Sequence, residues 1–314
     1  MKKKITILIP AHNEEKVLPL LFKSLKDLEN NNKNFNWEFL FVDDGSRDKT
    51  LKLITAETKK NKSISYISLS RNFGKEIAIA AGLDNFKGDC LIIMDSDLQH
   101  PPKLIPEMIK LWQKGYKDVF AKRKHRKDES ILKRIPTNIY YSILHQFSNI
   151  PVHENAADFR LLDKICVKAL QKIREQNRST KALYSWIGFN KKEIEYEPDP
   201  RQKGDSKYSF FKLLNLAIDG ITSFTISPLR ISTVLGFISC FISLIYLLVW
   251  VIIRTIIMGI DSHGWASTMS FILFFGSIQL ISLGIIGEYL GRIFIETKNR
   301  PLYFIRDAHF IKRH

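Results

Sequence analysis

The chain has 314 residues, 45% of them hydrophobic, so it is long enough to bury one sizeable core and still has apolar sequence left over. Its formal net charge of +16 favours anionic partners such as lipid headgroups and phosphorylated small molecules. Nucleic acid would also suit a basic chain, but the sequence contains no recognisable nucleic-acid module, and we expect no such partner.

Strand-like and helical patterns alternate along the first 120 residues. Apolar, β-rich runs occupy Ile5–Ile9, Phe39–Val42, Ile64–Leu69, Leu91–Met94 and Val119–Ala121. Helical patterns between them lie at about Glu15–Leu28, Asp48–Lys60, Lys75–Asn85 and Lys103–Lys114. This alternation predicts an α/β fold with a doubly wound, Rossmann-like parallel sheet. Neither G-x-G-x-x-G nor G-x-x-x-x-G-K-[ST] occurs, so a nucleotide would be bound by another device.

Acidic residues cluster where two of the predicted strands end. Asp43 and Asp44 follow the second strand, and Asp95-Ser96-Asp97 follows the fourth, with Gln99 two residues further on. Ligands of open α/β sheets bind at these strand ends. Two carboxylates and an amide oxygen at this spacing can hold a divalent cation, Mg²⁺ or Mn²⁺, against a diphosphate. An isolated D-x-D is more often a solvated loop, but its position after a buried strand favours a site.

Beyond Ala121 the patterns weaken. A basic stretch covers residues 122–127, a helical pattern lies near Ile131–Phe147, a helix is predicted after Asp163 to about Arg174, and Glu193–Glu197 resembles a strand. Apolar residues recur at helical spacing from Tyr208 to about Ile221, which predicts an amphipathic helix. Its position before an apolar segment favours a helix lying at a membrane interface.

Two segments without charge, Ile231–Ile253 and Gly264–Gly287, each exceed the roughly 20 residues that cross a bilayer. The short link between them predicts a transmembrane hairpin. Basic residues lie overwhelmingly outside it, so we expect a multi-pass protein of the cytoplasmic membrane whose N-terminal domain is cytoplasmic. The predicted parts are a domain at 1–206, an amphipathic helix at 207–229, the hairpin at 230–292 and a basic cytoplasmic tail at 293–314.

Five segments in this order resemble a known family. They are Ile9–Glu14, Val42–Thr50, Arg71–Glu76, Met94–Pro102 and Arg201–Tyr208. Together they resemble the family 2 glycosyltransferases of the GT-A fold, and within them the bacterial polyprenyl-phosphate glycosyltransferases related to dolichol-phosphate mannose synthase. The resemblance extends to Gly287–Arg292 and Arg300–Tyr303, which look like the closing motifs of this family.

The resemblance implies inverting transfer of a sugar from a nucleotide-sugar donor to undecaprenyl phosphate, for modification of a cell-envelope glycan. UDP-glucose is the first expectation for the donor and UDP-GlcNAc the second. Two positions depart from the family pattern: His12 stands where Tyr is common, and Ser96 stands where Ala is frequent. Both lie near the expected nucleotide, so they bear on the identity of the donor.

The resemblance also implies roles for individual residues. Expected contacts with the nucleotide sugar come from Pro10, Asn13, Glu14, Asp43, Asp44, Ser46, Lys75 and Asp95, with Asp43 and Asp44 at the base and ribose. Expected metal and diphosphate ligands are Asp95, Asp97 and Gln99. Expected phosphate-binding residues are Arg123, Arg134, Arg201 and Lys207. The expected catalytic residues are Asp97 and Asp158, the latter matching a carboxylate proposed as the base.

The chemistry of a phosphate acceptor limits what a base must do. With a second pKa of about 6, a lipid phosphate is largely ionised at neutral pH and needs little deprotonation. Bringing two phosphorylated molecules together calls for Arg and Lys more than for a strong base. Asp158 is therefore either a base or an orienting group.

Two other functions remain open. A processive polysaccharide synthase shares the fold and the acidic motif, but such enzymes share a Q-x-x-R-W motif that this chain lacks, and they need more membrane spans. A non-catalytic membrane scaffold would have little reason to keep the acidic and basic motifs. Among the expected partners are the membrane lipid bilayer and a second copy of this chain, in a homo-oligomer.

Overall fold

The computed structural model describes residues 2–123, 156–196, 227–253 and 265–311. An eight-stranded sheet runs through the first unit: β1 (Lys4–Ala11), β2 (Asn36–Asp43), β3 (Ile64–Leu69), β4 (Cys90–Ile93), β5 (Asp118–Arg123), β6 (Ala156–Asp163), β7 (Lys191–Tyr196) and β8 (Ile305–His309). Its helices are α1 (Leu18–Asn31), α2 (Thr50–Thr58), α3 (Lys75–Asp84), α4 (Ile105–Gln113), α5 (Lys164–Gln171) and α6 (Thr180–Trp186). The second unit contains α7 (Ser227–Ile253) and α8 (Trp265–Thr297).

Both faces of the central strands are buried. Along β1, Ile5, Ile7 and Ile9 join one apolar cluster, whereas Leu8 joins the other. Helices α1 and α4 contribute to the first cluster, and α3 and α5 contribute to the second. Strands buried on both faces are continuous apolar runs in sequence, which is why β1 to β5 could be predicted.

The strand order is β7-β5-β6-β4-β1-β2-β3-β8. Strands β1 to β4 are parallel to one another, as predicted. Two strands that the sequence analysis did not predict run antiparallel: β6 lies between β4 and β5, and β8 extends the other edge beside β3. The α/β prediction is confirmed, with the correction that the sheet is mixed rather than wholly parallel.

Strand β8 falls within residues 293–314, which the sequence analysis assigned to a basic tail. Tyr66 donates a hydrogen bond through its hydroxyl to Asp307 Oδ2 at 2.6 Å, and the Ser70 N–H donates to the Phe304 carbonyl at 2.9 Å. The chain therefore returns to the sheet after α8.

Helices α7 and α8 are apolar and contact each other, with the Ser232 and Ser282 hydroxyls 2.6 Å apart. Within the part of the chain that the structure describes, one segment, Phe274–Thr297 of α8, is long and apolar enough to cross a membrane by length and composition, and a shorter apolar segment lies at Ile231–Ser243 of α7. Most of the predicted amphipathic helix at 207–229 lies outside the described residues.

Candidate functional site

The candidate site lies at the carboxyl ends of β1, β2 and β4, beside the first residues of β6. Four loops meet there, at residues 12–17, 44–49, 70–74 and 94–101. The order of the parallel strands reverses around β1, because β2 and β4 lie on its two sides. An open α/β sheet has its ligand crevice at such a point. The predicted acidic residues are therefore brought to one edge of the sheet.

The loop after β1 is fixed to the loop after β2. His12 Nδ1 lies 2.8 Å from the Asp44 carbonyl oxygen, which can only accept, so Nδ1 carries the proton. The amides of Asn13 and Asn72 each approach His12 Nε2 at 3.0 Å. Asn13 has a φ of 57° and donates its backbone N–H to Ser46 Oγ at 3.0 Å. His12 thus joins three loops, a role that the sequence analysis did not predict.

Asp43 and Asp44 are buried and accept hydrogen bonds from the protein. Asp43 accepts from the Ser46 N–H at 3.2 Å and from the Ser68 hydroxyl at 2.9 Å. Asp44 accepts from the N–H groups of Phe73 and Gly74 at 2.7 and 2.9 Å. Three of the four carboxylate oxygens of this pair therefore hold loops in place, and the fourth binds Ser68 of β3. Pro10, also expected at the nucleotide, is buried in β1.

Glycine is required between these two loops. Gly45 has a φ of +63°, and a Cβ atom there would lie 2.4 Å from the Arg71 carbonyl carbon. A side chain at this position would therefore force apart the loops that follow β2 and β3.

Lys75, the first residue of α3, lies between two carboxylates. Its Nζ atom is 2.6 Å from Asp95 Oδ1 and 2.7 Å from Asp158 Oδ2. Asp95 follows β4 and Asp158 lies in β6, the antiparallel neighbour of β4, so Lys75 offsets the mutual repulsion of the two acids. Asp158 Oδ1 is buried and has no hydrogen-bond donor among the described residues. The family resemblance implies a contact of Lys75 with the nucleotide sugar, but the sequence does not predict this pairing.

Electrostatics keep Lys75 and Asp158 ionised. Burial alone would lower the pKa of Lys75, but the charges of Asp95 and Asp158 outweigh burial and raise it. Burial alone would raise the pKa of Asp158, but Lys75 and then Lys181 outweigh burial and lower it. Asp158 is therefore a carboxylate at neutral pH.

The loop after β4 leaves its acidic side chains more accessible than the loop after β2 does. Asp97 Oδ1 accepts the Gln99 N–H at 3.0 Å, and Leu98 between them has a φ of 59°. The Asp95 N–H donates to His100 Nδ1 at 3.2 Å, and the His100 ring stacks on Phe159 with ring centres 5.1 Å apart. Apolar stacking thus anchors the loop while Asp95 and Asp97 stay partly exposed.

Negative charge is concentrated beside this loop. The pKa of Glu14 is raised, first by burial and then by the charges of Asp97 and Asp48. Ser96, a buried residue of this loop, forms a hydrogen bond with the Glu14 side chain. The predicted nucleotide residue Glu14 therefore lies close to the D-x-D segment.

Comparison with known proteins identifies the family. The family described as Glycosyl transferase family 2 matches residues 6–171, which is more than half of the chain. This chain belongs to glycosyl transferase family 2. It is a glycosyltransferase, and a second description, GtrB C-terminal hairpin, matches residues 227–293.

Relatives within the family match nearly the whole chain. An uncharacterized glycosyltransferase of Synechocystis is 42% identical over 96% of this chain and 95% of its own length. A prophage bactoprenol glucosyl transferase homolog of Escherichia coli is 40% identical over 96% of this chain and 98% of its own. The bactoprenol glucosyl transferase of Shigella phage SfII is 40% identical, over 98% of both chains.

The donor set of this family 2 enzyme suits a hard divalent cation. Among the described residues, no group of three or more His, Cys, Asp or Glu side chains forms a ready-made metal cage. Asp95, Asp97 and Gln99 offer hard oxygen atoms, and Mg²⁺ is commonly held by one or two carboxylates together with substrate phosphates. The residues fit an ion shared with a diphosphate.

The expected phosphate-binding residues lie mostly outside the described part of the chain. Arg123 ends β5, and only its backbone is described. Arg134, Arg201 and Lys207 lie outside the described residues, so their roles stay predictions. Lys75 is the basic side chain that the structure places against Asp95, which follows β4, and Asp158 of β6.

Proposed function

We propose that this glycosyltransferase transfers glucose from a nucleotide-activated donor, UDP-glucose, to undecaprenyl phosphate with inversion at the anomeric carbon. The observation that carries the proposal is similarity over 96–98% of the chain to proteins named bactoprenol glucosyl transferase. UDP-GlcNAc is the second candidate donor. The lipid-linked monosaccharide would serve modification of a cell-envelope glycan.

The site has the chemistry that two phosphorylated substrates need. Lys75 is partly exposed, and an ammonium group has three N–H donors, so it can contact a phosphate while it holds Asp95 and Asp158. A general base works best with a pKa near the operating pH, whereas the pKa of Asp158 is lowered. We assign Asp158 to orienting Lys75 at the acceptor rather than to removing a proton.

A divalent cation completes the donor side of this proposal. Asp97 would hold it, with Asp95 and Gln99 close by in the same loop. Such an ion, Mg²⁺ or Mn²⁺, neutralises the charge that develops on a nucleoside diphosphate leaving group. Residues Asn13, Glu14 and Ser46 line the adjoining loops and are proposed to surround the nucleotide.

Arg201, Lys207, Arg123 and Arg134 are proposed to hold substrate phosphates. If Arg201 only touched lipid headgroups, its loss would cost about 1 kcal/mol, roughly fivefold in binding. Loss of a phosphate contact made in the transition state costs more, on the order of 2–5 kcal/mol. Arg201→Ala should cut turnover well over tenfold in detergent, and a loss of less than about fivefold would make it a membrane contact.

The proposed location is the cytoplasmic membrane, with a two-span hairpin and a cytoplasmic catalytic domain. The support is the match to the GtrB C-terminal hairpin together with the apolar helix α8. Cysteines introduced at Ser262 and Lys312 test the orientation in intact cells. The first should react with an impermeant reagent and the second should not, and the reverse pattern contradicts the proposal. Light scattering of the protein in detergent can test the expected homo-oligomer.

A donor panel tests the reaction. Purified protein receives undecaprenyl phosphate, Mg²⁺ and one labelled sugar nucleotide at a time, and the mass of the lipid product is measured. We expect one hexose per lipid with UDP-glucose as the best donor. A longer saccharide would favour the processive synthase, and absence of lipid-linked sugar with every donor would contradict the proposal.

A further inference from the structure

Strand β8 carries an irregularity at the point where it passes the carboxyl end of β3. Ser68 pairs with Asp307, but the next residue, Leu69, pairs with Ile305, so Arg306 is the extra residue of a β-bulge. Bulges at sheet edges re-aim a side chain and are frequent beside active sites. The bulge here sets the direction of the Arg306 side chain.

The Arg306 guanidinium reaches a buried acid of the candidate site. Its Nη2 atom donates to Ser68 Oγ at 2.9 Å and lies 3.8 Å from Asp43 Oδ2. The Ser68 hydroxyl in turn donates to the same Asp43 oxygen at 2.9 Å. The Asp43 side chain is fully buried, so a positive charge close to it offsets the cost of burying a carboxylate.

The hydrogen bonds continue from Asp43 into the loops of the crevice. Asp43 Oδ1 accepts from the Ser46 N–H at 3.2 Å, and Ser46 Oγ accepts from the Asn13 N–H at 3.0 Å. A chain of contacts thus runs from Arg306 through Ser68, Asp43 and Ser46 to Asn13. Hydrogen-bond networks of this kind fix the groups that they join.

We propose that Arg306 is a positioning residue of the donor-nucleotide subsite, so that the segment following the hairpin is a working part of the catalytic unit. The proposal rests on the proposed function, which places a nucleotide sugar at the loops of Asn13 and Ser46. Arg306 acts through Asp43 and contacts none of the reacting atoms of the two substrates. Its loss should weaken donor binding and leave acceptor binding unchanged.

The test compares Arg306→Gln, Arg306→Lys and the control Asp307→Asn in the full-length detergent-solubilised protein. Asp307 is the neighbouring residue of β8, and it contacts Tyr66 instead of the crevice. The control therefore weakens the docking of β8 without touching Asp43. UDP affinity is measured by calorimetry, KM values are measured for UDP-glucose and undecaprenyl phosphate, and Tm is measured for each variant.

Arg306→Gln should weaken UDP binding and raise the KM for UDP-glucose about tenfold, which is the loss expected for a hydrogen bond involving a charged group. The KM for undecaprenyl phosphate should stay within about twofold of the wild-type value. Arg306→Lys should recover part of the loss, because Lys keeps the charge without the planar fork. Asp307→Asn should lower Tm at unchanged donor KM. Equal UDP affinity in Arg306→Gln and wild type, or an equal donor effect in Asp307→Asn, overturns the proposal. A wild-type protein that binds no UDP overturns the proposed function and this inference with it.

Discussion

Acidic residues lie at the carboxyl ends of both strands beside β1, yet the two acidic groups are used differently. After β2, the Asp43 and Asp44 side chains are buried, and their oxygens accept hydrogen bonds from Ser46, Ser68, Phe73 and Gly74. After β4, the Asp95 side chain is 24% exposed and paired with Lys75. A carboxylate occupied by backbone N–H groups stabilises loops, whereas a partly exposed one can exchange its partners for a ligand.

The largest effect should come from Asp97, the partly exposed acid proposed to hold the cation. Asp97→Asn should lower turnover at least about 100-fold, because a bound ion supplies several kcal/mol to the transition state. Tm should stay within about 2 °C of wild type, as for other changes outside a packed core. Initial rates with Mg²⁺ and with EDTA check this. Near wild-type turnover by the variant, or full wild-type turnover in EDTA, would contradict the metal assignment.

Lys75→Met should have the next largest effect, because it leaves Asp95 and Asp158 facing each other without a cation. Removing one partner of such a charge pair costs roughly 2–5 kcal/mol, so turnover should fall about 30-fold or more. Lys75→Arg should restore part of the rate. The matched control is Lys110→Met, an exposed lysine of α4. Equal rates for the two methionine variants would show that the ion pairs of Lys75 are not needed.

Asp44→Asn should mainly lower stability. One of the two backbone N–H groups would then face the amide NH₂ instead of an oxygen, which costs about 1–3 kcal/mol in unfolding free energy. Thermal unfolding should show this loss, whereas turnover per folded molecule should fall less than about tenfold. Asp27→Asn, on the exposed face of α1, is the control. Unchanged unfolding free energy in Asp44→Asn would contradict the structural role.

Asp163, outside the crevice, should show the smallest effect and only on stability. Burial alone would raise its pKa, but the Ile165 N–H, the Trp112 indole and Lys117 outweigh burial and lower it. The pKa of Asp163 is lower in the folded state than in the unfolded state. The ionised side chain therefore stabilises the folded protein at neutral pH, and this stabilisation is lost as pH falls through the lowered folded-state pKa.

Asp163→Asn should therefore lower the unfolding free energy by about 1 kcal/mol at pH 7, because one amide oxygen cannot replace two carboxylate oxygens, which accept from the Ile165 N–H and from the Trp112 indole and Lys117. The difference from wild type should narrow below about pH 4. Denaturant titrations at several pH values measure it. A difference that grows in acid would contradict the assigned sign.

The sequence predicts the strands that form uninterrupted apolar runs and misses two that do not, the buried β6 and the exposed β8. Strands β1 to β5 were predicted because they are apolar runs. Strand β6 contains Arg160, whose charge is buried against Asp118 at 3.1 Å, a partner 42 residues away that no local pattern reveals. Strand β8, with the sequence Ile-Arg-Asp-Ala-His, is a mostly exposed edge strand without a run of apolar residues. Short α6 was missed as well.

The sequence likewise predicts only part of the candidate functional site. The acidic motifs could be found from their positions after apolar runs, and the resemblance added Lys75 and Asp158. Their direct contact could not be predicted, because the two residues are 83 positions apart and meet only through the order of β4 and β6. The role of His12 in joining three loops likewise depends on Asn72, 60 positions away.

The division of roles between the two acidic loops is tested most directly by UDP binding with and without Mn²⁺. Calorimetry on wild type, Asp44→Asn and Asp97→Asn compares the affinity for UDP in Mn²⁺ with that in EDTA. Wild type and folded Asp44→Asn should bind UDP more tightly with Mn²⁺, whereas Asp97→Asn should bind equally weakly in both. An Asp97→Asn protein that keeps the Mn²⁺ enhancement, or a folded Asp44→Asn protein that loses it, would contradict the account.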